Sequence, residues 1–179
     1  MGKISTKITS RTQQFIEKQH VFFVATAPNK GRINLSPKGM NSLKVLTPNQ
    51  LIWLNVTGSG NETAAHINEN GNITIMFCAF EGAPNIVRIY GKAREVKPSD
   101  NDWKVLYSKL PKLPGARQIF DVTVESVQTS CGMSVPFYEY KGERNELNEW
   151  AENIGEDGIQ KYWKEKNQTS IDGLPTHII

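Results

Sequence analysis

Apolar positions recur at two different spacings along this chain. Ser10 to His20 reads as a short helix, with Phe15 and Ile16 facing inward. Val21-Phe-Phe-Val-Ala-Thr-Ala27 is β-branched and aromatic, and is closed by Pro28 and the turn Asn29-Lys-Gly31. Arg32-Ile-Asn-Leu-Ser36 then alternates apolar with polar, as a hairpin partner does. Leu43–Leu46 and Leu51–Val56 flank Thr47-Pro-Asn-Gln50 and predict a second hairpin. Ile73–Phe80 is a longer apolar run that turns through Gly82-Ala-Pro-Asn85 into Ile86–Tyr90, which continues past Gly91 towards Val96. The last strand, about Gln118 to Thr129, alternates at Phe120, Val122 and Val124. A helix near Asn101–Leu110 precedes it and is ended by Pro111 and Pro114. The segment from Glu143 to Lys166 is helical in pattern and broken at Gly155.

Six or so strands in hairpin order, with helices between them, predict a mainly β chain with helices (α+β): a small antiparallel barrel in a single domain over residues 1–179. Residues 143–179 form a helical C-terminal tail on this reading. A doubly wound parallel sheet would need alternating strands and helices, which the pattern lacks. Composition is ordinary for a globular protein. The net charge of +3 is modest and the basic residues are dispersed, which disfavours nucleic acid but suits a small anion. No apolar run is long enough to cross a bilayer, and the N-terminus carries no h-region, so a cytoplasmic location is the default expectation. Cys78 and Cys131 lie apart in apolar or small-residue surroundings and are expected to be buried thiols.

The segment richest in chemistry is Thr57-Gly-Ser-Gly-Asn-Glu-Thr-Ala-Ala-His66. It follows a buried strand and opens a short helix that ends near Gly71. Gly58 and Gly60 let backbone approach a ligand closely, and the first helical N–H groups have no partner inside the helix, so the stretch suits a phosphate. Ser59-x-x-Glu62 is at the same time a capping box, which satisfies those N–H groups without a ligand. A dinucleotide-binding unit fits poorly, because Thr63 stands where a third glycine belongs and the next strand enters a hairpin. Ser59 is not in a nucleophile elbow, and His20, His66 and His177 form no metal-like cluster. His66 reads as a capping or packing residue and Trp53 as core. An enzyme on this chain would therefore borrow a cofactor.

Taken in order, several segments resemble the flavin-binding split-barrel family that includes pyridoxamine 5'-phosphate oxidase. They are Phe23-Val-Ala-Thr-Ala27, Asn34-Leu-Ser-Pro-Lys-Gly39, Leu54-Asn-Val-Thr-Gly-Ser-Gly-Asn-Glu-Thr63, Met76-Phe-Cys-Ala-Phe-Glu-Gly82, Arg88-Ile-Tyr-Gly91, Gln128-Thr-Ser-Cys-Gly132 and Ser170-Ile-Asp-Gly-Leu-Pro175. The resemblance is to the family's oxidase-related branch rather than to the oxidase itself. The oxidase's basic Ser-Arg-Lys phosphate segment is replaced here by Ser59-Gly-Asn-Glu-Thr63, and its C-terminal Arg-x-His pattern is missing.

The resemblance implies an antiparallel six-stranded split barrel that binds FMN across the interface of a homodimer. Asn61 and Thr63, with the N–H groups around Gly60, would cradle the FMN phosphate, and Ser59 and Thr57 would add hydroxyls. Arg32 and Lys38 would neutralise the phosphate or sit beside the flavin's pyrimidine edge, where a cation favours the reduced anion. Ser36 and Arg88 would contact the ring system, and Gln128 to Cys131, with Ser130, would wall it from the second subunit. The tail would close over the partner's site. The implied function is an oxidoreductase that passes electrons from a reduced nicotinamide to a small acceptor, with no nucleic acid or membrane involved. A non-catalytic flavin-binding or storage module is the alternative, and an oligonucleotide-binding barrel is disfavoured by the lack of a basic-aromatic groove.

Overall fold

A computed structural model describes residues 2–179. Eight strands form one antiparallel sheet: β1 (Lys3–Ser5), β2 (Phe22–Thr26), β3 (Asn34–Lys38), β4 (Leu43–Thr47), β5 (Gln50–Val56), β6 (Asn72–Cys78), β7 (Asn85–Val96) and β8 (Ala116–Cys131). Their order is β3-β2-β6-β7-β8-β5-β4, with β1 laid along the end of β8. Among the described residues the count is thus eight rather than six. Three-residue β1 is too short to show a period, and β4 pairs on one side only, as an edge strand. The sheet rolls up, because the rings of Phe22 on β2 and Trp53 on β5 meet at 6.2 Å although three strands separate them in the sheet. Edges β3 and β4 do not pair with each other, so the barrel stays split along one seam.

Alternation sorts each strand's side chains. Val24, Ile75, Val87, Ile89, Phe120 and Val122 fill the barrel. The opposite face of β5 and β8 (Ile52, Leu54 and Ile119) packs under Trp103 and Leu106 of helix α3 (Trp103–Tyr107). Burial on both faces explains why Leu51–Leu54 is apolar at every position instead of alternating. At Gly91 the β7 register shifts, and a Cβ there would collide with the Thr123 carbonyl of β8, so only glycine fits.

Two helices depart from the sequence reading. Helix α1 (Ser10–Ile16) stops a turn short of His20, and helix α2 (Glu62–Asn70) has Asn61 as its N-cap, not Ser59. Gly71, at φ 73°, ends α2 in the left-handed conformation. Helix α4 (Glu146–Lys166) is broken at Gly155, as expected. The tail docks on its own chain: Ala151, Ile159, Trp163 and Ile178 form a separate apolar cluster. Cys78 is buried, whereas Cys131 is exposed where β8 runs out of the barrel. Among the described residues no helix is long and apolar enough to cross a membrane.

Candidate functional site

The glycine loop leaves β5 at Val56 and enters α2 after Asn61. Its partner is the start of β8. There Asn55 pairs with Gln118 and Val56 with Ala116, which leaves Arg117 as the extra residue of a β-bulge. A bulge re-aims a side chain that strict alternation would send elsewhere. Arg117 is accordingly only 2% exposed, and its Nη1 donates to the Gly60 carbonyl at 3.1 Å and to Asn167 Oδ1 at 2.7 Å.

Lys38, on β3, points across the seam. Its Nζ stands 5.3 Å from the centre of the Trp53 ring, and no carboxylate pairs with it among the described residues. Burial, and then the charge of Arg117, lower its pKa to about 8. Burial also lowers Arg117, to about 10, with Glu95 and Tyr162 opposing the shift, so both side chains are cations at neutral pH. Two desolvated cations close enough to repel each other are costly unless an anion joins them.

The other half of the site is neutral. Asn61 is 2% exposed, yet neither its Nδ2 nor its Oδ1 has a hydrogen-bond partner, and Arg117 Nε is likewise unpartnered. The Asn61 side chain does not cap α2. Ser59 is exposed, and Glu62 instead accepts from the Ile171 N–H at 3.0 Å, so the expected capping box does not form. A Cβ on Gly58 would meet no atom within 4 Å, so open space adjoins the loop. Thr63 is buried and accepts a long bond (3.4 Å) from Asn34, whose Oδ1 in turn accepts from Ser36. Unpaired cations, an unpaired amide and open space beside a helix start are together suited to a phosphate.

Other residues singled out in the sequence lie elsewhere. Thr57 is 1% exposed, and its hydroxyl donates to Gly115 O and accepts from Trp163 Nε1, both at 2.8 Å. Arg32 is exposed and forms an ion pair with Asp172, which its backbone N–H also contacts at 2.6 Å. That pairing holds the Asp172 carboxyl below its ordinary range. Arg88 donates to Ser130 at 3.1 Å, and Gln128 accepts from Tyr90 at 3.2 Å. Gln128 and Ser130, with Arg88 paired beside them on β7, sit at the far end of β8 from Arg117. Ser130 there lines a cleft of about 1530 Å³ under α1, walled by His20, which stacks on Tyr140 at 3.6 Å. At about 3.3 Å per residue, Arg117 and Ser130 are on the order of 40 Å apart along the strand. A single protomer therefore divides the candidate residues into two groups.

The sequence reading missed Arg117, Trp163 and Asn167. The one visible signal for Arg117 was a charge at the head of the apolar run Ile119–Phe120. Burial of His66 (1% exposed), with Nδ1 at 3.0 Å from Thr26 Oγ1, matches its expected packing role.

Lys38 makes ligand-free stability depend on pH. Its folded pKa lies below its unfolded one, so between about pH 8 and 10.5 the unfolded chain binds more protons, and stability should rise with pH across that window. The gain should be on the order of 2 kcal/mol and absent in Lys38→Met, as read from urea midpoints at pH 7.5 and 10. Equal pH responses in both proteins would mean Lys38 is not desolvated.

A family model described as pyridoxamine 5'-phosphate oxidase matches residues 8–131. The pyridoxamine 5'-phosphate oxidase family protein ustO of Aspergillus flavus is 35% identical over 176 residues, covering 88% of this chain and 71% of that one. Among solved structures, HupZ of Group A Streptococcus superposes with a TM-score of 0.54 at 22% identity, covering 67% of this chain and 91% of HupZ. HutZ of Vibrio cholerae, a heme storage protein, reaches a TM-score of 0.51 at 16% identity, covering 71% and 98%. At such identities the structural likenesses establish the split-barrel fold.

Proposed function

The chain belongs to the pyridoxamine 5'-phosphate oxidase family, and from that premise we propose that it is an FMN-binding oxidoreductase passing electrons from a reduced nicotinamide to a small acceptor. The observation that carries the reading is the unpaired cation pair Lys38 and Arg117 beside the unpartnered amide of Asn61. Arg117 would hold the phosphate by charge-assisted hydrogen bonds, joined by N–H groups at the start of α2. Asn61 has both a donor and an acceptor to satisfy, which suits a phosphate with a hydroxylated chain next to it. Lys38 would sit at the phosphate or the flavin's pyrimidine edge, and Ser36 and Asn34 extend the polar face of β3. The bound flavin supplies the redox chemistry at its ring; the chain's own residues fix its position and its charge environment.

Homodimerisation is part of the proposal. A partner protomer would bring its Arg88, Gln128 and Ser130 to the flavin, joining the two groups that one protomer separates. Leu35, 63% exposed on edge strand β3, and Ile33 just before it, 76% exposed, offer an apolar surface for it. The setting would be the cytoplasm. A storage module without turnover on the same barrel is the second reading.

The visible spectrum of the purified protein, before and after added FMN, is the first test. Protein that neither retains nor takes up FMN rejects the proposal. Anaerobic reduction by a nicotinamide followed by turnover with an acceptor separates the enzyme from the storage module. Asn61→Ala combined with Thr63→Ala should weaken FMN about tenfold or more with little loss of stability, since the Asn61 amide makes no internal bond. Unchanged FMN affinity would place the phosphate elsewhere.

A further inference from the structure

Lys38 stands apart from the other lysines that the fold draws in. Lys92 donates to Asn70 O at 3.1 Å and Lys112 to Tyr107 O at 2.9 Å, while Lys97 stands 3.8 Å from a Glu95 oxygen. Lys38 is half-buried, yet among the described residues its amine has no such partner. It pairs across the strands with Phe22, so the two side chains share the face that looks into the barrel. Its Nζ lies over the Trp53 ring at 5.3 Å from the centre. A cavity of about 320 Å³ reaches from β2 to edge strand β4 at the seam. Its lining includes the core side chains Phe22, Phe77 and Val45, together with Leu43 and Gly39, the chain neighbour of Lys38. Sites for small molecules run from roughly 300 to 1,000 Å³, so this one has room for a single small ring.

We propose that Lys38 is a nucleophilic amine that captures small planar aldehydes as imines, with the Trp53 face and the seam cavity receiving the body of the aldehyde. The chemistry uses the same amine as the flavin reading but does not rest on it. A lysine becomes a nucleophile where apolar surroundings or a neighbouring cation keep it neutral, and both act here. Burial, and then the charge of Arg117, bring its pKa to about 8 from 10.5. At pH 7.5 roughly a quarter of the molecules therefore hold the free amine, against about one in a thousand for an ordinary lysine. The Nζ lone pair adds to the carbonyl carbon, and one nitrogen proton moves to the carbonyl oxygen. The carbinolamine so formed loses its hydroxyl and the second nitrogen proton as water, which leaves the C=N bond. No oxidant or reductant enters. A ring conjugated with that bond is flat, and so can lie offset on the Trp53 face.

Benzaldehyde with cyanoborohydride, which reduces an imine to a stable benzylamine, tests the proposal on the full-length protein without added flavin. Peptide mass mapping locates the adduct. At pH 7.5 Lys38 should be labelled at least about tenfold faster than exposed Lys30. Unfolding in urea should erase that excess, because the desolvation of the amine belongs to the fold. Val45→Phe, which narrows the cavity, should slow benzaldehyde at Lys38 several-fold and leave formaldehyde, which needs little room, unchanged. If that variant fails to fold, the wild-type labelling ratio and its loss in urea still decide. Lys38 labelled no faster than Lys30, a preference that survives in urea, or a folded Val45→Phe protein that takes both aldehydes at wild-type rates overturns the proposal. Such a failure leaves the flavin reading standing, since the visible spectrum with FMN tests that separately. Conversely, a protein that takes up no FMN can still be labelled at Lys38.

Discussion

Lys38→Met combined with Arg117→Met should lower FMN affinity by at least about a hundredfold. Each charge-assisted contact to a phosphate is worth about 1.5–3 kcal/mol, and two of them span roughly two to four orders of magnitude. Riboflavin, without the phosphate, should lose little through Arg117. Any loss confined to Lys38→Met and shared by riboflavin would put that amine at the ring edge instead. The single variants should part company in stability. Lys38 makes no internal hydrogen bond, and Met keeps a favourable contact with the Trp53 ring, so Lys38→Met should stabilise the ligand-free protein. Arg117→Met removes a desolvated charge but strands the Gly60 carbonyl and Asn167 Oδ1, two effects of opposite sign and similar size. A gain in stability together with a loss of binding at Lys38 is the mark of a charge kept for a ligand. If Lys38→Met destabilised the free protein and left FMN affinity intact, the cation would have a purely structural role.

Trp53→Ala should cost about 3–5 kcal/mol, the largest loss expected from a single core truncation here. Trp53 is 1% exposed, stacks on Phe120 at 5.1 Å and meets Phe22 edge-on at 6.2 Å. Those two contacts link β5 to its neighbour β8 and, through the barrel interior, to β2. The ring also forms the floor under Lys38, so the same change should weaken flavin retention. A urea midpoint shift equivalent to less than about 1 kcal/mol would mean the barrel closes without Trp53.

Much of the fold could be read from the chain because alternation and turn residues act locally. The runs from Val21 to Val56 and from Ile73 to Val96 fall on strands β2 to β7 to within a few residues. The misreadings are equally physical. The alternation puts Arg32 in a strand, but it lies before β3, held by Asp172, a residue 140 positions distant. Ser59 and Glu62 have the spacing of a capping box. The helix nevertheless starts at Asn61, because Glu62 is taken by the tail's Ile171 N–H and Ser59 is left in solvent. Cys131 looked like a buried thiol in its small-residue setting, yet β8 outruns the barrel and leaves it exposed.

The candidate site divides in the same way. Gly58, Gly60, Asn61 and Thr63 could be named from spacing, since a strand that breaks at glycines into a helix has unpaired N–H groups wherever it folds. By itself, then, the sequence determined the antiparallel strand order of hairpins, the glycine loop and the anionic class of ligand it suits. Only the tertiary structure decided what surrounds that loop. The bulge at Arg117, the reach of Lys38 across the seam and the docking of Trp163 and Asn167 depend on contacts between residues far apart in the chain. Such contacts follow from how the sheet rolls and where the tail packs, and local spacing carries no record of either.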